Sequence, residues 1–227
     1  AATLRLLPEI GGRIVAWTGL SSISDARKLL VQCEAAAGEV LEGFEVLPAQ
    51  ALKAVLAHIP GARSPLANEH AWHALIELAA PDGQADRLGE LAETILGEAM
   101  ESGLVADAVI AANDTQAEAF WQLRDEIAPA ERAVGPAMQH DISVPVDRMA
   151  DFVAAGVPDV EARFPGTRAV AFGHLGDGNV HFHVIAPPGA TRGEWEETEG
   201  KIVSAYVHDL VTQWHGSISA EHGIGQM

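Results

Sequence analysis

The short apolar run in RIVAWTGL, residues 13–20, predicts a strand, and a helical apolar period follows in DARKLLVQCEAAA. Ser24 is placed to cap that helix and Gly38 to end it. Residues 39–47, EVLEGFEVL, read as a second strand. Between 48 and 70, Pro48, Pro60, Gly61 and Pro65 break the pattern into a short helix and a loop. Residues 71–79 (AWHALIELA) predict a strand, 84–102 a helix closed by Gly103, and 107–113 (DAVIAAN) a strand. The order is β-α-β twice over, the ferredoxin-like arrangement.

The pattern then repeats. Thr115 and Glu118 form a capping box that opens a helix over TQAEAFWQLRDEIA. DISVPV is a short strand, Asp147 opens a helix through RMADFVAA, and two strands follow in AVAF and VHFHVIA. Thr191 with Glu194 caps a long helix to Trp214, and GSISAE supplies a last strand. No repeat of sequence accompanies this repeat of elements. The expectation is an α+β fold across residues 1–227, with ferredoxin-like β-α-β-β-α-β units at 13–113 and 141–221. Both units share one mainly antiparallel sheet, with helices packed on one face.

The chain has 227 residues, 48% of them hydrophobic, enough for a substantial core. Its formal net charge of −18 argues against nucleic acid or an anionic membrane as partner. A lone cysteine, Cys33, excludes an internal disulfide framework, suits a reducing, cytoplasmic setting and falls on the apolar side of its helix. No apolar run reaches the roughly 18 residues that would span a membrane, and no signal-peptide pattern opens the chain. It begins without Met and stops at Met227 directly after a motif, so it reads as a piece of a longer protein.

The chemistry concentrates in GHLGDGNVHFHV, residues 173–184. With Asp177-Gly178 as a two-residue turn, His174 lies opposite His181, and His183 shares their face. A histidine pair on a sheet is usually just a polar surface, but a tight turn sets these two side by side. SAEHGIG, residues 219–225, adds Glu221 and His222; two imidazoles and a carboxylate form a common catalytic metal set. Being adjacent, Glu221 and His222 would point to opposite faces of a strand, and both serve one site only if Gly223 and Gly225 allow a bend. His183 is a third ligand, an orienting group or a pocket wall. Asp177, Gly176 and Gly178 serve the turn itself, and GDGN lacks the context of a phosphate loop. Arg124 is by default a solvated helix arginine, and its functional alternative is to grip a substrate carboxylate. His208 and His215 share a helix face, whereas His58, His70 and His73 have no supporting neighbours.

These segments resemble, in order, the C-terminal domain of the FAD-linked oxidases that include D-lactate and D-2-hydroxyglutarate dehydrogenases and the glycolate oxidase flavin subunit. GFEVL, WHALIEL, FWQLRDEI and DISVPV support the likeness; GHLGDGNVHFHV and SAEHGIG are its specific parts. The resemblance implies His174, His181 and Glu221 as ligands of a divalent metal, zinc or manganese. It implies His222 as the catalytic base, Arg124 as a carboxylate anchor, and Asn179 and His183 beside the substrate. It also implies FAD, bound mainly by a separate N-terminal domain, a 2-hydroxy acid substrate and an unspecified electron acceptor. A homodimer is compatible with it. Members resembling the hydroxyglutarate enzyme carry Lys-Tyr-Asp where this chain has Gln139-His140-Asp141, and Asn where it has His183, so specificity does not transfer. Two rival readings are a metal-dependent hydrolase, active without flavin, and a non-enzymatic ferredoxin-like binding module, which needs no metal.

Overall fold

The computed structural model describes residues 10–81 and 85–222. Its first half runs β1 (Ile10–Leu20), α1 (Ile23–Ala37), β2 (Leu41–Pro48), α2 (Ala49–His58), β3 (Trp72–Pro81), α3 (Ala85–Glu101) and β4 (Asp107–Ile110). Two helices, α4 (Asp114–Asp125) and α5 (Ile127–Val134), lead to the second half. There β5 (Ala137–Ser143), α6 (Met149–Arg163), β6 (Arg168–His174), β7 (Asn179–Ile185), α7 (Glu194–Glu197) and α8 (Glu199–Gln213) follow.

The seven strands form one sheet in the order β4-β1-β3-β2-β6-β7-β5, and each pair is antiparallel. β4-β1-β3-β2 is the order expected of a ferredoxin-like unit. β6-β7-β5 repeats it in mirror order from the shared β2–β6 edge. That edge is short: Glu45 pairs with His174 and Val46 with Gly173. Gly173 has φ +138°, and a Cβ there would lie 2.7 Å from the Asn179 carbonyl oxygen, so a side chain is excluded.

Helices cover both faces of the sheet, not one as expected. On one face α1, α3, α6 and α8 enclose a core built on Leu29, Ile76, Phe152, Phe182 and Val207. On the other, α2, α4 and α5 close over Trp17, Leu47, Leu75, Phe120 and Ile127. This second layer covers the apolar side chains that the strands present on that face, Trp17, Leu75, Val170 and Phe172 among them, so the sheet is buried on both sides.

Several local signals moved. Ser22, not Ser24, caps α1, its side chain accepting from the Asp25 N–H. Asn113 replaces the Thr115–Glu118 box, accepting from the Gln116 N–H at 3.0 Å, while Glu118 pairs with Arg13. The expected helix through Ala128 breaks at Glu126, because Pro129 cannot supply an N–H and its ring crowds the Asp125 carbonyl. The long helix to Trp214 is divided at Thr198, and Glu196 rather than Glu194 reaches back to the Gly193 N–H, 2.6 Å away. The last strand is reduced to one bridge, Ser143 to Ser217. Cys33 is buried as expected. Among the described residues no helix is long and apolar enough to cross a membrane.

Candidate metal centre and substrate cavity

The histidine hairpin is offset by two residues from the expected register. His181 lies opposite Phe172 rather than His174, and the turn spans four residues, 175–178. Leu175 is drawn wholly into the core, and its N–H bonds the Phe44 carbonyl at 3.1 Å. Asp177 accepts from the Asn179 N–H at 2.9 Å, and Gly178, at φ +79°, lies where a Cβ would meet the Val144 carbonyl oxygen at 2.1 Å. A slip of two preserves the face of every side chain. His174 and His181 are therefore diagonal neighbours, with ring centroids 6.0 Å apart.

Two carboxylates that were not singled out as site residues organise this face. Glu45 on β2 is 1% exposed and stands directly across the strand edge from His174. Its Oε1 contacts His174 Nδ1, and its Oε2 accepts from Arg124 Nε at 2.8 Å. Burial alone would push the Glu45 carboxyl up, but His174 and Arg124 outweigh it and hold it below the usual carboxylate range. The contact with Glu45 in turn raises His174. Bonding of Nδ1 to Glu45 leaves His174 Nε2 as the outward-facing nitrogen, the arrangement that carboxylates impose on metal-bound imidazoles. The other carboxylate is Asp141 on β5, directly opposite His181. Its Oδ2 accepts from the backbone N–H groups of Glu221 and His222. No short-range pattern marks either residue, since both act across the sheet.

His174, His181 and Glu221 each offer one ligand atom, and these atoms all lie within 4.8 Å of one another. Glu221 Oε1 is 3.2 Å from His174 Nε2. Burial, then the Arg124 charge, lowers His181 to about 4, so its imidazole is neutral at pH 7 and offers a lone pair. Two imidazoles and a carboxylate that converge with an orienting carboxylate behind one of them fit a divalent cation of the zinc or manganese type. The Arg124 guanidinium donates toward both outward nitrogens, 3.2 Å from His174 Nε2 and 3.3 Å from His181 Nε2. It thus shares the two lone pairs that a cation would use.

Beside the cluster is a cavity of about 590 Å³, its wall including Arg124, Gln139, His181, His183 and His222. His183 is held from behind by the buried Glu131, whose Oε2 is 2.5 Å from its Nδ1. This makes it a wall residue rather than a member of the three-ligand cluster. His208, an unassigned helix histidine, packs edge-on against His140 and also lines the cavity. Asn179 does not line it: the side chain is 3% exposed, and neither amide atom has a hydrogen-bond partner among the described residues. The substrate contact expected of Asn179 is therefore not seen. His73, left without a role, is buried and accepts from Trp17 Nε1 at 3.1 Å. The bend expected at Gly223 and Gly225 lies outside the described residues. GDGN forms the hairpin turn, as expected, with Asp177 accepting from the Asn179 N–H.

The model of a family described as FAD linked oxidases, C-terminal domain, matches residues 12–227. The chain is 33% identical over 221 residues to D-2-hydroxyglutarate dehydrogenase, mitochondrial, of Arabidopsis thaliana, covering 97% of this chain and 37% of that protein. It is 36% identical over 185 residues to D-2-hydroxyglutarate dehydrogenase of Xanthomonas citri pv. viticola, covering 82% and 38%. The chain therefore spans well under half the length of these relatives. Among solved structures, an alkyldihydroxyacetonephosphate synthase superposes with a TM-score of 0.65 at 11% identity, over 91% of this chain and 40% of that one. A p-cresol methylhydroxylase superposes with a TM-score of 0.58 at 10% identity, over 94% and 46%. Those two likenesses concern the fold alone. By the family match over nearly its whole length, this chain belongs to the FAD linked oxidases, C-terminal domain.

Proposed function

We propose that this chain is the substrate- and metal-binding domain of an FAD-dependent oxidoreductase that converts a 2-hydroxy acid to the 2-oxo acid. The observation that carries the reading is the convergence of His174, His181 and Glu221 beside a cavity bearing Arg124 and His222. The dehydrogenase names of the relatives support the reaction class. The domain comprises two units, 13–113 and 141–221, and works with a separate FAD-binding domain.

His174, His181 and Glu221 would hold zinc or manganese, which supplies Lewis acidity to the substrate hydroxyl. FAD, bound by the separate domain, supplies the hydride acceptor. Arg124 fixes the substrate carboxylate through its planar guanidinium, kept in orientation by Glu45. His222 takes the hydroxyl proton on its imidazole. His183 forms the adjoining wall, with Glu131 fixing its ring. A metal-dependent hydrolase would use the same His174, His181 and Glu221 set, and the family match favours the flavin-linked reading over it and over a binding module. A reducing, cytoplasmic compartment suits the buried Cys33, whereas the Arabidopsis relative is named as mitochondrial.

The test is anaerobic flavin bleaching in the complete protein with a panel of D- and L-2-hydroxy acids. Bleaching by one acid, lost on chelation and restored by metal, is the expected result. A flavin that none of the acids bleaches overturns the proposed reaction.

A further inference from the structure

We propose that Asp141 is a positioning residue that sets where Glu221 and His222 stand, and through them both metal affinity and proton transfer. The inference rests on the function proposed above. In an extended strand successive N–H groups point to opposite sides, so adjacent residues cannot share one acceptor. Here they do: Asp141 Oδ2 accepts from the N–H of Glu221 at 2.9 Å and from that of His222 at 2.6 Å. Two consecutive N–H groups turned to one anion form a small concave donor site. The chain leaves the sheet edge at this point.

The preceding contacts lead the chain there. Ser217 exchanges two backbone hydrogen bonds with Ser143, of 2.9 and 2.8 Å, and the Ala220 N–H reaches the Asp141 carbonyl at 3.1 Å. The sheet edge carries the chain as far as Ala220, and the Asp141 side chain then takes over as acceptor. Consecutive side chains can then serve one site: Glu221 reaches His174, and His222 lines the cavity. The second oxygen, Oδ1, is buried without a hydrogen-bond partner among the described residues and lies 3.9 Å from His181 Nδ1. That distance exceeds a hydrogen bond. It still sets a negative charge on the side of His181 away from the ligand cluster. One carboxylate thus borders His181, Glu221 and His222 together. Bonds to an ionised acceptor are about twice as strong as neutral ones, so a carboxylate suits an exposed segment better than an amide would.

The experiment compares wild type, Asp141→Asn and Asp141→Ala in the complete protein. Three quantities are read: backbone amide exchange over residues 217–222, zinc and manganese affinity by chelator competition, and kcat at saturating metal. Asp141→Ala is expected to speed exchange at Glu221 and His222 and to weaken metal binding about 10–100-fold. Its kcat should stay depressed at saturating metal, because His222 is displaced as well. Asp141→Asn, with a weaker neutral acceptor, should fall between the two in exchange and affinity. If Asp141→Ala does not fold, Asp141→Asn carries the test. Exchange and affinity unchanged from wild type in the folded variants overturn the inference. A wild-type protein that binds neither metal overturns the metal reading instead, while the exchange measurement still decides the role of Asp141.

Discussion

The two halves of the sheet follow one plan and finish it differently. In the first, β4 pairs with β1 over four residues and closes the unit with a real strand. In the second, the equivalent strand beyond β5 is a single bridge at Ser217. The connections differ as well: α2 and a long loop separate β2 from β3, whereas four residues join β6 to β7. The complete edge yields a packed module whose buried polar groups, among the described residues, include Thr18, Glu45 and His73. The incomplete edge borders the candidate site, because a chain released from the ladder can bend and bring two consecutive residues to one acceptor, Asp141. A finished strand would have sent Glu221 and His222 to opposite faces.

The sharpest way to break this contrast is to remove the group that the unfinished edge delivers. His222→Ala in the complete protein should lower turnover about 10²–10⁴-fold, the range of a positioned base, as measured by rapid-mixing flavin reduction. Near-normal turnover would remove His222 from that role. The finished half should respond in stability instead. Leu75→Ala opens a cavity in a fully buried position of β3 and should cost about 2–5 kcal/mol in denaturant unfolding, with zinc affinity per folded molecule unchanged. A matching loss of metal affinity would show that the halves are not separable in this way.

Glu45 sharpens the comparison, since it belongs to the first half and serves the second. Glu45→Gln should weaken zinc or manganese binding about 10–100-fold in chelator competition, because His174 Nδ1 and Arg124 Nε lose their shared anion. Undiminished affinity would assign Glu45 to packing alone.

A pH dependence is the one effect that the two halves share. Burial lowers His73 and His140 from 6.5 to about 4. Each stays neutral when folded but gains a proton when unfolded across that interval. The unfolded chain then binds more protons, and stability falls as pH drops from 6.5 toward 4. The loss should be on the order of 3 kcal/mol per residue, as read from urea midpoints. His140→Gln should flatten its share of the slope; an unchanged slope would exclude His140 as a source.

Much of this was legible along the chain. The ferredoxin-like order followed from apolar period and turn residues, and the shared face of His174, His181 and His183 from the two-residue repeat of a strand. That inference survived a wrong register, because an offset of two leaves every side chain on its face. What was not legible lay across the sheet. Leu175 is fully buried within a four-residue turn, and Asn179 is buried as well. Glu45 read as one acid in an ordinary strand, GFEVL, and Asp141 as the residue that opens the strand DISVPV.

The sequence by itself determined the elements, their order and the residue types brought to one face, since these depend on dihedral preference and side-chain period over a few residues. Only the tertiary structure decided the register of the hairpin, the second helical layer, and the pairing of Glu45 with His174 and Arg124 and of Asp141 with the 221–222 backbone. The reason is physical: a buried carboxylate takes the donors that folding brings within about 3 Å, and here those donors, on a helix and on the segment past the sheet edge, lie roughly 80 residues away along the chain.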